Sequence, residues 1–237
     1  MREKIIAIGP MYNEGEKALG VVNRFPPAVV DEVVIVNDAS TDGSVEKLRG
    51  KPITILEMPQ RSGPGPAIRK GIEYGLKKGY EIFVVFATNG KDNPQEIPQL
   101  LKPVLEGKAD FIQGSRYLEG GGWKNMPFHR IWGIKAFSIL FSIFLGRNIT
   151  DGTNGFRAFR SSVLKDPRIN LRQEWLEGYP LETYLFAQAI RLKYRVMEVA
   201  VTKTYPSNKK NYTKMKPLID WWNYFKPVPY LALRLKK

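Results

Sequence analysis

Three short apolar runs near the N-terminus each break off into a polar, turn-forming, partly acidic segment. This recurrence limits the architectures open to the chain more than any other feature. The run from Lys4 to Ile8 leads into Gly9-Pro10-Met11-Tyr12-Asn13-Glu14, and that from Glu32 to Val36 into Asn37-Asp38-Ala39-Ser40-Thr41-Asp42-Gly43. A third, Ile82 to Phe86, leads into Asn89-Gly90-Lys91-Asp92-Asn93-Pro94. Short continuous runs of this kind suit strands buried on both faces. Helical stretches over Glu16 to Arg24, Ser44 to Arg49, Ala67 to Lys78 and Pro94 to Leu105 alternate with them and with strand-like segments at Pro52 to Glu57 and Ala109 to Gln113. The alternation predicts an α/β fold, a mostly parallel central sheet with helices on both faces. In such a sheet ligands bind beyond the carboxyl ends of the strands, where this chain concentrates its acidic and amide side chains.

The second half of the chain is less regular. Gly120-Gly121-Gly122 is expected to form a flexible loop. Ile131 to Leu145 is almost continuously apolar, broken by Gly133 and Lys135 and flanked by His129, Arg130 and Arg147. Crossing a bilayer takes roughly 20 apolar residues, so this run is expected to fall short of a span and to be either a core helix or a helix lying on lipid. Leu181 to Leu192 reads as a further helix and Val196 to Thr202 as a late strand. The 237 residues suit one main domain over 1–215, containing the 131–145 helix, and a basic, aromatic tail over 216–237.

The absence of cysteine excludes disulfides and thiolate metal sites, and the single histidine, His129, leaves no His-based metal cage. A net charge of +14 bears on partners. Lys203, Lys209, Lys210, Lys214, Lys216 and Lys226 are interleaved with Tyr205, Tyr212, Trp221, Trp222, Tyr224, Phe225 and Tyr230. Rings among cations suit an anionic membrane surface. Nucleic acid, supported by charge alone, is not an expected partner. Charged Arg2-Glu3-Lys4 leads straight into the first run with no secretory signal, so the expected location is cytoplasmic and peripheral to the membrane.

Asn13-Glu14 and Asp38 at the ends of the first two strands, Arg61 before Gly63-Pro64-Gly65, and the segment after Ile82 to Phe86 together resemble the start of a family 2 glycosyltransferase with the GT-A fold. The resemblance implies a nucleotide-sugar donor, cradled by Pro10, Tyr12, Glu14, Asp38 and Arg61. The base edge and ribose of such a donor present hydroxyls and N–H groups that need acceptors. The family places an Asp-X-Asp triplet after the fourth strand, where it holds a divalent metal on the donor's diphosphate. Aligning on Gly90, Pro94, Glu96 and Pro98 puts Ala87-Thr88-Asn89 at that position, without either carboxylate. Asn89 and Asp92 are then the residues left to hold Mg²⁺ or Mn²⁺, with Lys91 as the alternative partner of the diphosphate.

Gly114-Ser115-Arg116-Tyr117, Met126-Pro127-Phe128-His129-Arg130 and Asp151-Gly152-Thr153-Asn154-Gly155-Phe156-Arg157 resemble the dolichyl-phosphate mannosyltransferase branch, with Asn154 where a serine is usual. By this resemblance Arg116 and Arg130 hold the acceptor phosphate, a task suited to the guanidinium fork. Gly178-Tyr179-Pro180-Leu181-Glu182 matches the branch's helix start, and Thr213-Lys214-Met215 its basic motif, which adds Lys214 to the phosphate contacts. Asp151 becomes the candidate catalytic carboxylate and Glu182 a further candidate. The implied activity is inverting transfer of a mannose- or glucose-type sugar from a nucleotide diphosphate to a polyprenyl (dolichyl-type) phosphate. The rivals are an enzyme of the same fold acting on a saccharide, and a donor-binding protein with weak or no activity, for which the missing triplet is the main support.

Overall fold

In the computed structural model, which describes residues 2–207 and 219–236, the three opening runs become neighbouring strands. They are β1 (Ile5–Met11), β2 (Glu32–Asn37) and, after β3 (Thr54–Glu57), β4 (Ile82–Val85). Helices α1 (Gly15–Val22), α2 (Ser44–Leu48) and α3 (Pro64–Lys77) make the crossovers. All pairings among these strands are parallel. A 3₁₀ turn at Pro94–Glu96 then opens α4 (Ile97–Leu105), which leads to β5 (Phe111–Ser115). Beyond it lie β6 (Gly122–Lys124), α5 (Phe128–Leu145), β7 (Arg157–Arg160), α6 (Ser161–Leu164), α7 (Pro180–Arg191), β8 (Val196–Ala200) and β9 (Thr202–Thr204). Helices α8 (Ile219–Phe225) and α9 (Pro227–Ala232) follow.

The strand order is β3-β2-β1-β4-β7-β5-β8, with β6 and β9 paired in a second small sheet. β7 runs antiparallel to both β4 and β5 and was not expected. It is four residues long with arginine at each end, so it carries neither an apolar run nor an alternating pattern. The glycine loop also differs from expectation, because Gly122 opens β6. At Gly121 a side chain is excluded, since a Cβ there would lie 2.7 Å from the Ser115 carbonyl oxygen.

Successive strand residues face opposite sides of the sheet, and this divides the core. Ile6, Ile8, Phe83, Phe111 and Phe159 meet α3 and α7 on one side. Ile5, Ala7, Val84, Ile112 and Ala158 meet α1 and α4 on the other. Helix α3 lies unusually close to the sheet: a Cβ on Gly71 would come within 2.5 Å of Ile8, and one on Gly75 within 2.6 Å of Phe83. This close packing fixes the start of α3 relative to the ends of β1 and β2, where the ligand cleft opens.

Helix α5 begins three residues before the apolar run and reaches 18 residues. By length and composition alone it is long enough to cross a membrane, which corrects the expectation of a segment too short to span one. Ile134, Ser138 and Phe141 face inward, and Phe225 of α8 stacks on Phe137 and Phe141. On the opposite side Phe128, Trp132, Ile139 and Ile143 are 57–74% exposed. Their spacing puts them within about 60° of one another around the helix at 3.6 residues per turn. Helix α9 packs on the main core, where Val228 and Leu231 are fully buried.

Candidate active site

A cleft opens over the carboxyl ends of β1, β2 and β4, as the sheet's topology dictates. Pro10, Tyr12, Glu14, Asp38 and Arg61, the residues expected to take the donor nucleotide, all line it. The Arg61 guanidinium lies 4.2 Å from the centre of the Tyr12 ring, close enough for cation–π attraction. Asp38 is 3% exposed, and its carboxylate oxygens accept the backbone N–H groups of Ser62 (2.7 Å) and Gly63 (2.8 Å). Its carboxylate therefore anchors the loop carrying Arg61 as well as facing the cleft. Glu14 accepts from Lys17 at 3.3 Å.

The turn after β4 forms the next stretch of wall. Thr88 Oγ1 donates to the Pro10 carbonyl at 2.6 Å and pins the turn to the end of β1. Asn89 and Lys91 line the cleft, whereas Asp92 does not. Asp92 is 1% exposed, accepts the Ala87 N–H at 2.8 Å through Oδ2 and has the Lys203 ammonium 2.8 Å from Oδ1. Asn89 Oδ1 accepts the Lys91 N–H at 3.2 Å. The expected Asn89–Asp92 ligand pair is therefore not assembled, because the buried carboxylate is held on the Lys203 ammonium. Among the described residues no group of three or more His, Cys, Asp or Glu is placed to hold a metal ion. The donor set does not fit a resident divalent cation. Lys91 is in a different position. Burial, then the charges of Arg130 and Lys203, push its ammonium down to about 7, against weaker support from Glu14 and Asp92.

The far wall contains the residues expected to meet the acceptor. Arg130, on the first turn of α5, lines the cleft with its guanidinium 5.5 Å from the centre of the Tyr205 ring. Arg116 also lines it, but its donors are taken. Nε reaches Asp151 Oδ2 at 2.6 Å and Nη2 reaches Asp151 Oδ1 at 2.8 Å. Nη1 reaches the Tyr205 hydroxyl at 2.8 Å and Nη2 also reaches Thr153 Oγ1 at 2.7 Å. Asp151, fully buried, does not line the cleft. Burial acts to raise its pKa, but the Arg116 guanidinium overrides this and holds the carboxyl below its usual range. The candidate catalytic carboxylate and the candidate phosphate arginine thus neutralise each other. Glu182, at the start of α7, does line the cleft, and burial pushes its carboxyl up. A Cβ on Gly155 would lie 2.5 Å from its Oε1, so glycine at 155 leaves the carboxylate its place. Lys214 and its motif lie outside the described residues.

Lys203 and Tyr205, from β9 and just after it, were not picked out as site residues, although both line the cleft. They come from a three-residue strand that pairs with the short β6 and, through an isolated bridge from Lys203 to Asp92, with the turn after β4. The basic, aromatic composition of that region is the only signal of them in the sequence, and it suits a membrane surface as well as a cleft wall.

The family model described as glycosyl transferase family 2 matches residues 7–167. The chain belongs to that family. It is therefore a glycosyltransferase. An undecaprenyl-phosphate mannosyltransferase of Micrococcus luteus is 32% identical over 205 residues, covering 84% of this chain and 83% of the relative. A polyprenol monophosphomannose synthase of Mycolicibacterium smegmatis is 32% identical over 209 residues, covering 85% and 78%. Among solved structures, glucosyl-3-phosphoglycerate synthase of Mycobacterium tuberculosis in complex with Mn²⁺, uridine diphosphate and phosphoglyceric acid has a TM-score of 0.71 at 16% identity, covering 98% of this chain and 78% of that one. This likeness establishes the GT-A fold.

Proposed function

We propose that this family 2 enzyme moves a hexosyl group, of mannose or glucose type, from a nucleoside diphosphate to a polyprenyl phosphate with inversion at the anomeric carbon. The acceptor is inferred from the placement of α5, whose first turn sets Arg130 in the cleft wall while a bare apolar stripe runs along its outer face. A phosphate on a long isoprenoid chain suits both. The polyprenyl-phosphate relatives, at 32% identity, support the same acceptor class. The donor's nucleotide falls to Tyr12, Glu14, Asp38 and Arg61, and Glu182 faces the space left for the transferred sugar.

The reaction is a single in-line displacement. An oxygen of the acceptor phosphate attacks the anomeric carbon, and the bond from that carbon to the donor's diphosphate breaks. The nucleoside diphosphate leaves with the electron pair. A phosphate monoester with a second pKa near ~6 is mostly dianionic at neutral pH, so the nucleophile needs no general base. That agrees with an Asp151 whose oxygens are both held by Arg116. In this reading Asp151 is a positioning residue for Arg116, and Arg130 carries the acceptor's charge. A peripheral place at the cytoplasmic face of a membrane belongs to the same proposal, supported by the basic surplus of the chain.

Steady-state kinetics of Arg130→Ala tests the acceptor assignment. Loss of a charge-assisted bond costs about 1.5–3 kcal/mol, so KM for polyprenyl phosphate should rise roughly ten- to a hundredfold. KM for the nucleotide sugar should stay within about twofold of the parent's, since Arg130 lies away from the nucleotide end of the cleft. Equal effects on both substrates would contradict the assignment.

A further inference from the structure

We propose that Lys91 and Lys203 stand in place of a metal ion and neutralise the donor's diphosphate directly, an inference that rests on the nucleoside-diphosphate donor proposed above. The first observation is the fate of the remaining carboxylate. Asp92 is fully enclosed, with one oxygen on the Ala87 N–H and the other on the Lys203 ammonium. A divalent cation of the Mg²⁺ kind takes six oxygen ligands and is drawn to carboxylates that are open to it. Here the available carboxylate is already occupied by a positive group.

The second observation is how Lys203 is held. Its ammonium lies 2.8 Å from Asp92 Oδ1 and donates to Asn154 Oδ1 at 2.9 Å. An ammonium has three donors, which leaves Lys203 donor capacity for the cleft it lines. The position is built in advance by two fixed acceptors, and this is how a charge stabilises a leaving group without reorganising during the reaction. Lys91 belongs to the same unit. Its carbonyl accepts the Thr204 N–H at 2.9 Å, and Asp92 forms an antiparallel bridge with Lys203. Both lysines are thus carried by backbones paired to each other.

The third observation is location and charge. The turn bearing Lys91 is pinned by Thr88 to Pro10, next to Tyr12 at the nucleotide end. Lys91 and Arg130 both lie over the Tyr205 ring, at 5.4 and 5.5 Å from its centre. Lys91 and Lys203 together form a basic cluster in this wall of the cleft. The cluster lies between the nucleotide end of the cleft and the Arg116–Asp151 pair, where a diphosphate joined to the nucleotide has to pass.

Calorimetric titration with GDP and with UDP, in excess EDTA and then in Mn²⁺, tests this on the whole chain. At least one nucleotide should bind in EDTA, with Mn²⁺ changing its Kd less than threefold. Lys91→Met and Lys203→Met should each weaken that nucleoside diphosphate at least tenfold, but weaken the corresponding nucleoside less than threefold. Because Lys203→Met strands a buried carboxylate, Lys203→Met/Asp92→Asn is measured beside it and should show the same loss. Binding that requires Mn²⁺ would overturn the lysine proposal and leave the donor reading standing. Lysine variants that bind the diphosphate as the parent does would overturn it as well. Failure of both nucleotides to bind under either condition would overturn both readings.

Discussion

Arg116 donates to both oxygens of Asp151 in a place where neither side chain is more than 2% exposed, so the two behave as one group. Removing one member of a buried pair leaves an uncompensated charge, at a cost of about 3–5 kcal/mol. Arg116→Ala should therefore melt well below the parent, while Arg116→Ala/Asp151→Ala should recover part of the loss. Thermal denaturation of the three proteins measures this, and an Arg116→Ala variant as stable as the parent would contradict it. The pair also fixes the sign of an acid effect. Asp151 is held below its unfolded pKa of about 3.9, so its contribution is complete above that value and is lost as pH falls through the lower, folded one. The stability gap between parent and double variant should accordingly be constant near neutrality and shrink below about pH 4. The sequence showed that Asp151 and Arg116 belonged near the site, because each sits beside a readable motif. It did not show that they face each other, since pairing across the core leaves no mark on local spacing. Tyr12, Asp38 and Arg61 were legible for the opposite reason: they follow directly from strand ends or a glycine turn, and the sheet gathers such positions at one edge.

Helix α5 is apolar on two opposite faces, and this is why its sequence left the choice between core and lipid open. Its inward residues Ile134 and Phe141 are covered by the core and by α8, whereas Trp132, Ile139 and Ile143 remain bare. A run apolar all round has no 3.6-residue contrast to show which face is packed. Only the placement of α8 and α9, which follow much later in the chain, resolves it. If the bare stripe lies on lipid, Ile139→Ser/Ile143→Ser should reduce binding to anionic vesicles at least tenfold, since burying an Ile side chain is worth about 1.5–3 kcal/mol. Both side chains are more than 60% exposed, so the melting temperature should hardly change. Vesicle sedimentation and thermal melts together test this. Unchanged sedimentation would mean that the stripe has some other role.

Across the whole molecule, the parallel half from β1 to β4 was readable because each strand is an apolar run closed by turn residues and followed by a helix. The other half was not, because β7 enters the sheet antiparallel with an arginine at each end, and the three-residue β9 pairs with an equally short strand in the glycine loop. Those two strands nevertheless complete the site: the loop before β7 carries Asp151, Thr153 and Asn154, and β9 carries Lys203. The resulting cleft has Tyr12, Asp38 and Arg61 at one end and, at the other, Arg130 on the helix with the bare apolar stripe. The central claim is that the acceptor is recognised by its phosphate and its isoprenoid chain together. The most direct test incubates the purified protein with labelled nucleotide sugars (GDP-mannose, UDP-glucose) and, in identical micelles, either polyprenyl phosphate or the corresponding polyprenol, with a soluble phosphorylated acceptor such as 3-phosphoglycerate run in parallel. Label from one of these donors should appear in an acid-labile lipid product with polyprenyl phosphate alone. Equal labelling of the polyprenol, or transfer to the soluble acceptor in preference to the lipid, would contradict the claim.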